Sequence, residues 1–177
     1  NSEKDLDQFY KLFLQTRKFR GVPGYPYKYL KEILNSFDVK IYTTKLKEKA
    51  IASIFLIYYK KEVRYAFGGA LHDRELMKMQ PYHLILWEAI KDACLNDYAI
   101  FNFGGSSLSA NEGGLYGFKK KWADEIIELP YYYILNKLEK IPDEGPVFFL
   151  NLGAAAWKKL PTPLVRFLSP KIIKRFV

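Results

Sequence analysis

The sequence predicts an α/β (α+β) domain, a central mixed sheet flanked by helices. Three observations carry this. Two helical periodicities open the chain, at Asp5–Phe19 and Pro26–Phe37. Three consecutive stretches rich in β-branched and aromatic residues follow, separated by short breaks. A long Pro-initiated helix then stands between the third of these and a further strand. A meander followed by strand–helix–strand is a sheet with helices on its faces, and the connection is long enough to make the last two strands parallel neighbours.

Element by element, Leu6, Phe9, Tyr10, Phe13 and Leu14 give the first helix one apolar face, with Ser2 or Asp5 as its cap. Gly21-Val22-Pro23-Gly24 is a turn, because Pro fixes φ and Gly permits positive φ. Tyr29, Leu30, Ile33 and Leu34 face the core from the second helix. Val39–Thr44, Lys49–Tyr59 and Glu62–Ala70 are the strands of the meander, with Lys60-Lys61 as an unusual hairpin dipeptide and Gly68-Gly69 closing the third. Pro81–Leu95 reads as a buried helix, apolar over much of its circumference, with His83 and Cys94 at core or near-core positions. Tyr98–Phe103 is a short strand that stops at Gly104-Gly105, and Gly114–Trp122 is a short helix. Glu125–Leu135 is a further strand, with Pro130 at an edge or bulge. Pro161, Pro163 and Pro170 break the tail into helical pieces.

Composition bounds the function. The chain has 177 residues, enough for one domain, and 49% are hydrophobic, which excludes a disordered chain. A single cysteine, Cys94, excludes an internal disulfide framework, and two histidines make a His-rich metal site unexpected. The apolar runs Ile51–Tyr59 and Pro146–Trp157 fall short of a membrane span. The first residue is Asn1 rather than Met, so the chain is expected to be cut from a longer protein. The net charge of +9 favours anionic partners. It is concentrated in Gln8–Lys31 and Pro146–Val177, neither of which contains an acid. Solvated helix faces are the plainer explanation of such clusters.

The chemistry-bearing stretch is Tyr98–Tyr133. Asn102, Ser106, Ser107, Asn111 and Glu112 lie at or beyond the carboxyl end of a strand, where open α/β sheets commonly bind ligands. Lys119, Lys120 and Lys121 follow within one helical turn. Whichever faces the loop could polarise a carbonyl or hold a phosphate. A solvated basic helix beside a glycine turn is the alternative. His72, next to Asp73 in a loop, is a candidate base but is expected to be exposed. The aromatic content of 17% suits nucleic-acid stacking, yet most of these residues fall at core positions.

Phe101-Asn102-Phe103-Gly104, Gly114-Leu115, Phe118-Lys119, Trp122-Ala123 and Tyr131-Tyr132-Tyr133 together resemble the C-terminal signature of the FemAB-like branch of the GNAT acyltransferase fold. Upstream, TRKFRGVPGYPYKYL resembles the family's helix end, Gly-x-Pro turn and second helix. GGALHDRELMKMQPYHLILWEAIKDA resembles its strand end and Pro-initiated Trp helix, and WKKLPTPLVRFLSPKIIKRF resembles the tail of polysaccharide-cluster members. The resemblance implies an enzyme that transfers an acyl or aminoacyl group to an amine on a cell-envelope precursor, a peptidoglycan stem peptide or a polysaccharide sugar. It implies no tightly bound cofactor; the donor is aminoacyl-tRNA or acyl-CoA. Lys119 is the implied catalytic residue, stabilising the oxyanion. Phe118, Asn102, Gly104, Gly105, Ser106, Ser107, Asn111 and Tyr116 are implied substrate contacts, and Gly68, Gly69 and Tyr82 donor contacts.

Two departures from the family pattern matter. Asn102 stands where the family has Asp, which removes a general base there, and Ala123 replaces a Gly. The Gln/Arg-x-x-Gly-x-Gly/Ala phosphate loop of GNAT enzymes is absent, and Gly68-Gly69 with the start of the Pro81 helix takes its place. The expected organisation is a domain over residues 1–145, resembling the second of a FemAB-like pair and preceded by another GNAT-like domain. A basic apolar tail over 146–177 is expected to bind an anionic membrane surface or a neighbouring domain, with closure of this domain's own core as the competing explanation. The expected location is cytoplasmic, peripheral at the inner membrane face. The rival from another class is a non-catalytic basic module that binds tRNA or an anionic membrane surface.

Overall fold

In the computed structural model, which describes residues 2–106, 114–130, 132, 134 and 147–174, helix α1 spans Glu3–Arg20. A capping box starts it: the Ser2 hydroxyl accepts the Asp5 N–H, and the Asp5 carboxylate accepts the Ser2 N–H at 2.7 Å. Gly21, at φ 75°, ends it. Asp5 is held below the usual carboxylate range by the Ser2 amide and hydroxyl. Ser2→Ala is expected to cost about 1 kcal/mol of stability, read as a lower midpoint in urea unfolding.

Helix α2 is Tyr27–Ser36, and the meander follows as β1 (Asp38–Leu46), β2 (Lys49–Tyr59) and β3 (Glu62–Ala70), antiparallel throughout. Lys60 adopts φ 52°, which is how a Lys-Lys pair makes the tight hairpin turn without glycine. A short helix α3 (Arg74–Lys78), capped by the Asp73 carboxylate, lies where the sequence shows only a loop. Helix α4 (Pro81–Leu95) then returns the chain to β4 (Ile100–Asn102), which pairs in parallel with β3. The sheet order is β1-β2-β3-β4, so the mixed sheet stands as expected.

The sheet carries one core on each face. Leu6, Phe9, Phe13 and Leu14 of α1 pack with Leu30, Val39 and Phe55 on one side. Ile85, Leu86, Ala89 and Ala93 of α4 pack with Ile54, Leu56, Tyr58 and Val63 on the other. The charged end of α4 is tied to the sheet through Asp92. Its carboxylate accepts from Lys40 Nζ at 2.8 Å and from the Tyr42 hydroxyl, and Tyr42 meets the Tyr58 hydroxyl at 3.2 Å. Lys40 and then Tyr42 lower the Asp92 pKa. A carboxylate with a depressed folded pKa adds stability above its unfolded value of 3.8, and that stability is lost as pH falls through the lower folded value. Asp92→Ala is accordingly expected to lose about 1–2 kcal/mol at pH 7, with the difference from wild type shrinking in unfolding titrations taken toward pH 3.

Three sequence expectations need correcting. Helix α4 is not enclosed: Leu84 is 54% exposed, Trp87 57% and Leu95 75%, and Cys94 is exposed rather than near-core. The helix packs by one face only, which its near-uniform apolarity could not disclose. Residues 125–130 form no strand, although their β-propensity suggested one; the rest of that expected strand, apart from Tyr132 and Ile134, lies outside the described residues. Of the tail prolines, only Pro161 lies between helices α6 (Val147–Lys159) and α7 (Thr162–Ile173). Pro163 sits in the first turn of α7, where its missing N–H has no intrahelical partner to lose. Pro170 is accommodated within the helix. The remaining helix, α5, spans Leu115–Lys120.

The tail helices pack on α1 and the turn after it. A side chain at Gly21 would meet the backbone of Ala154 at 2.8 Å, and the Gly24 N–H donates to the Ser169 hydroxyl at 3.2 Å. Trp157 and Val165 are buried.

Candidate active site

The site forms where β3 and β4 part. Their parallel pairing ends at Arg64 and Asn102, while β3 runs on to Ala70. Beyond that point the chain turns at Gly104, whose φ of 69° suits glycine. Asn102 builds this turn. Its side-chain oxygen accepts the Gly104 N–H at 2.7 Å, and its amide donates to Glu62 at 2.8 Å. Both polar ends of Asn102 are therefore engaged with protein groups.

Lys119 reaches back from α5 to this turn. Its Nζ donates to the carbonyls of Gly104 at 3.3 Å and Gly105 at 3.0 Å. An ammonium has three donors, so one remains beyond these two among the described residues. Burial lowers its pKa, and the nearby Arg20 lowers it further. Lys120 and Lys121 point to solvent. Phe118 anchors the same turn of helix against α4, with ring centroids 5.2 Å from His83 and 6.5 Å from Tyr82. Trp122 adds a second ring beside His83 at 5.9 Å. His83 is thus half-buried in an aromatic cradle.

A β-bulge places the phenols. Leu56 pairs with Tyr65 and Phe55 with Phe67, so Ala66 is the extra residue. Ala66 and Phe67 then both face α1, while Tyr65 and Gly68 both face α4. The missing Cβ of Gly68 leaves the room that the hydroxyls need: a Cβ would stand 2.0 Å from the Tyr65 oxygen and 3.2 Å from that of Tyr82. The two phenols act on each other electrostatically, and burial pushes Tyr65 up to about 12 and Tyr82 well above its ordinary value. Gly69 serves packing instead. A Cβ there would lie 2.3 Å from the Phe13 nitrogen, in the backbone of α1.

Arg20, at the C-terminus of α1, acts electrostatically on Tyr65, His72, Tyr82 and Lys119 alike. His72 is exposed yet ordered. Its Nε2 lies 3.1 Å from the Thr16 hydroxyl, and its ring stacks on Phe19 at 3.9 Å. Desolvation of the ring by these two contacts, then Arg20, lowers its pKa.

Among the expected site residues, Asn102, Gly104, Gly105, Phe118 and Lys119 converge on the turn after β4, and Gly68 and Tyr82 meet across the gap. Tyr116 is half-buried on α5. Ser106 ends the described part of the loop; its hydroxyl is shielded from solvent and has no partner among the described residues. Ser107 and Asn111 lie outside the described residues. Sequence reasoning missed Arg20 and Tyr65. The only available signals were an arginine at a helix end facing a Gly-Gly strand terminus, and a Tyr three residues before Gly68. Among the described residues no cluster of His, Cys, Asp and Glu could hold a metal.

A family model described as "Acetyltransferase (GNAT) domain" matches residues 1–120. The chain is 22% identical over 146 residues to the UDP-N-acetylmuramoylpentapeptide-lysine N(6)-alanyltransferase of Weissella viridescens, which covers 81% of this chain. The chain spans about two fifths of that relative's length, 41%. Its fold is similar to an aminoglycoside acetyltransferase from an uncultured soil metagenomic sample, solved in complex with sisomicin. The TM-score is 0.53 at 14% identity, over 77% of this chain and 93% of the other.

Proposed function

The chain belongs to the acetyltransferase (GNAT) domain family, and from that premise we propose that it transfers an acyl group from a CoA thioester to a primary amine on a cell-envelope precursor. The observation that carries the reading is the half-buried ammonium of Lys119, with two of its protons on loop carbonyls and one without a partner among the described residues. In the reaction the amine nitrogen attacks the thioester carbonyl. A C–N bond forms, the oxygen becomes an oxyanion beside Lys119, and the C–S bond then breaks to release the CoA thiolate. The proton lost by nitrogen passes to water, since Asn102 offers no base. Tyr65 and Tyr82 have raised pKa values, so they stay protonated near neutral pH and act as donors rather than bases. Pro81 removes one amide donor from the first turn of α4, and the guanidinium of Arg20 supplies positive charge for the donor's phosphates.

The acceptor follows from the alanyltransferase relative, whose name specifies a lysine N6 amine on a UDP-linked muramoyl peptide. The same relative supports a second reading in which the acyl group is an aminoacyl group. The test is release of CoA thiol from acetyl-CoA in the presence of a muramoyl peptide carrying lysine, alongside a parallel reaction with alanyl-tRNA. Amine-dependent thiol release is expected. Product from alanyl-tRNA alone would replace the donor. No product from either donor, with binding retained, would leave the basic binding module as the function.

The Lys119 pKa sets the expected pH profile. The ammonium form is the active one, so activity is present below its pKa and lost as pH rises through it. Because that pKa is lowered, the alkaline limb is expected below the ordinary lysine value of 10.5. Lys119→Arg should move the limb to higher pH in a kcat–pH series.

A further inference from the structure

We propose that the outward face of α7 docks on an anionic lipid surface, a property independent of the reaction assigned above. The helix has two faces. Val165 and Ser169, four residues apart, are fully buried, and Ser169 holds the Gly24 amide. The Arg166 guanidinium sits over the Tyr10 ring at 5.8 Å, fixing the same side to α1. On the opposite side Leu164 is 46% exposed and Phe167 61% exposed. Lys171 lies on this side one turn on, its ammonium 4.1 Å over the Phe167 ring, and Lys174 follows.

Charge identifies the occupant. Residues 147–174 contain Lys158, Lys159, Arg166, Lys171 and Lys174 and no Asp or Glu. An apolar pair rimmed by lysines alone is the pattern of a helix lying in the headgroup plane, where the rings enter the acyl boundary and the ammonium groups stay with the phosphates. A nucleic acid would reward the lysines but leave Leu164 without a role, and Lys171 already covers one face of the Phe167 ring. The exposed apolar residues of α4 differ, because Glu88 and Lys91 pair among them and give that face no charge preference. Among the described residues no helix is long and apolar enough to cross a membrane, so the contact is peripheral. The tail helices rest on the Gly21–Gly24 turn directly after Arg20.

Truncation is a poor test, because α6 and α7 pack on α1. Co-sedimentation of the whole 177-residue chain with phosphatidylcholine vesicles, with and without phosphatidylglycerol, uses point variants instead. Wild type is expected to bind the anionic vesicles and to be released by high salt. Phe167→Ser is expected to weaken binding about tenfold, and Lys171→Gln or Lys174→Gln about fivefold each. Leu95→Ser, an equally exposed apolar change on α4, should bind as wild type, and all four variants should melt as wild type does. The proposal is overturned if wild type does not sediment, or if neutral vesicles bind it equally. Salt-sensitive binding that survives Phe167→Ser would also overturn it, since that reports a plain cationic patch of the kind a nucleic acid would use.

Discussion

Lys119→Ala is expected to lower kcat by about 10²–10³, the loss seen when one oxyanion donor is removed, with little change in KM for the acyl donor. The reason is the division of its protons: two go to the Gly104 and Gly105 carbonyls, and on the proposed mechanism the third, which has no partner among the described residues, would meet charge that exists only in the transition state. The electrostatics separate this from a structural role. A lysine whose folded pKa lies below its unfolded value is charged at a cost to stability at neutral pH. Lys119→Met, which keeps the stem and removes the charge, should therefore melt within about 3 °C of wild type yet be as slow as Lys119→Ala. Steady-state kinetics with thermal melts on both variants check this. A kcat within a few-fold of wild type in either variant would remove Lys119 from the chemistry.

Gly69→Ala has the largest expected effect on the fold. The added Cβ would come 2.3 Å from the Phe13 nitrogen and 2.4 Å from the Leu12 carbonyl carbon. Both atoms belong to the backbone of α1, so no rotamer change relieves the clash, and the helix must lift from β3. That separates Phe9, Phe13 and Leu14 from Phe55 and Phe67, and a loss of about 3 kcal/mol or more is expected. Gly68→Ala, one residue away, collides instead with the far end of a side chain, the Tyr65 hydroxyl. It should cost less stability but break the Tyr65–Tyr82 pair. Urea unfolding of the two variants gives the comparison; equal losses would mean that α1 can shift freely over the sheet.

Local pattern carried most of the fold. The boundaries of β2, β3 and α4 follow from β-branched and aromatic density and from Pro81, all of which act within a few residues. The parallel β3–β4 pairing follows from the length of what lies between them. Lys119 was legible as a candidate, by resemblance to the family's Phe-Lys pair, in a run of three, although nothing local says that it, and not Lys120 or Lys121, turns to the glycine loop. The site's other half was not legible. Arg20 acts on the gap electrostatically only because α1 crosses the sheet, and a single bulged residue, Ala66, sets Tyr65 and Gly68 on one face; a one-residue change of register is invisible in composition.

What the sequence determined alone is the run of elements from α1 to β4 apart from the short helix α3, the basic character and the family signature, because each depends on neighbours in the chain. Tertiary structure decided the rest. It exposed Leu84, Trp87 and Leu95 on a helix that reads as apolar over much of its circumference. It laid the tail on α1, with one face buried and the other open. It assigned two adjacent glycines to different tasks, one to admit a pair of phenols and one to admit a helix. Burial and close approach belong to surfaces that meet only after the chain has folded, and no window along the sequence contains both sides of such a contact.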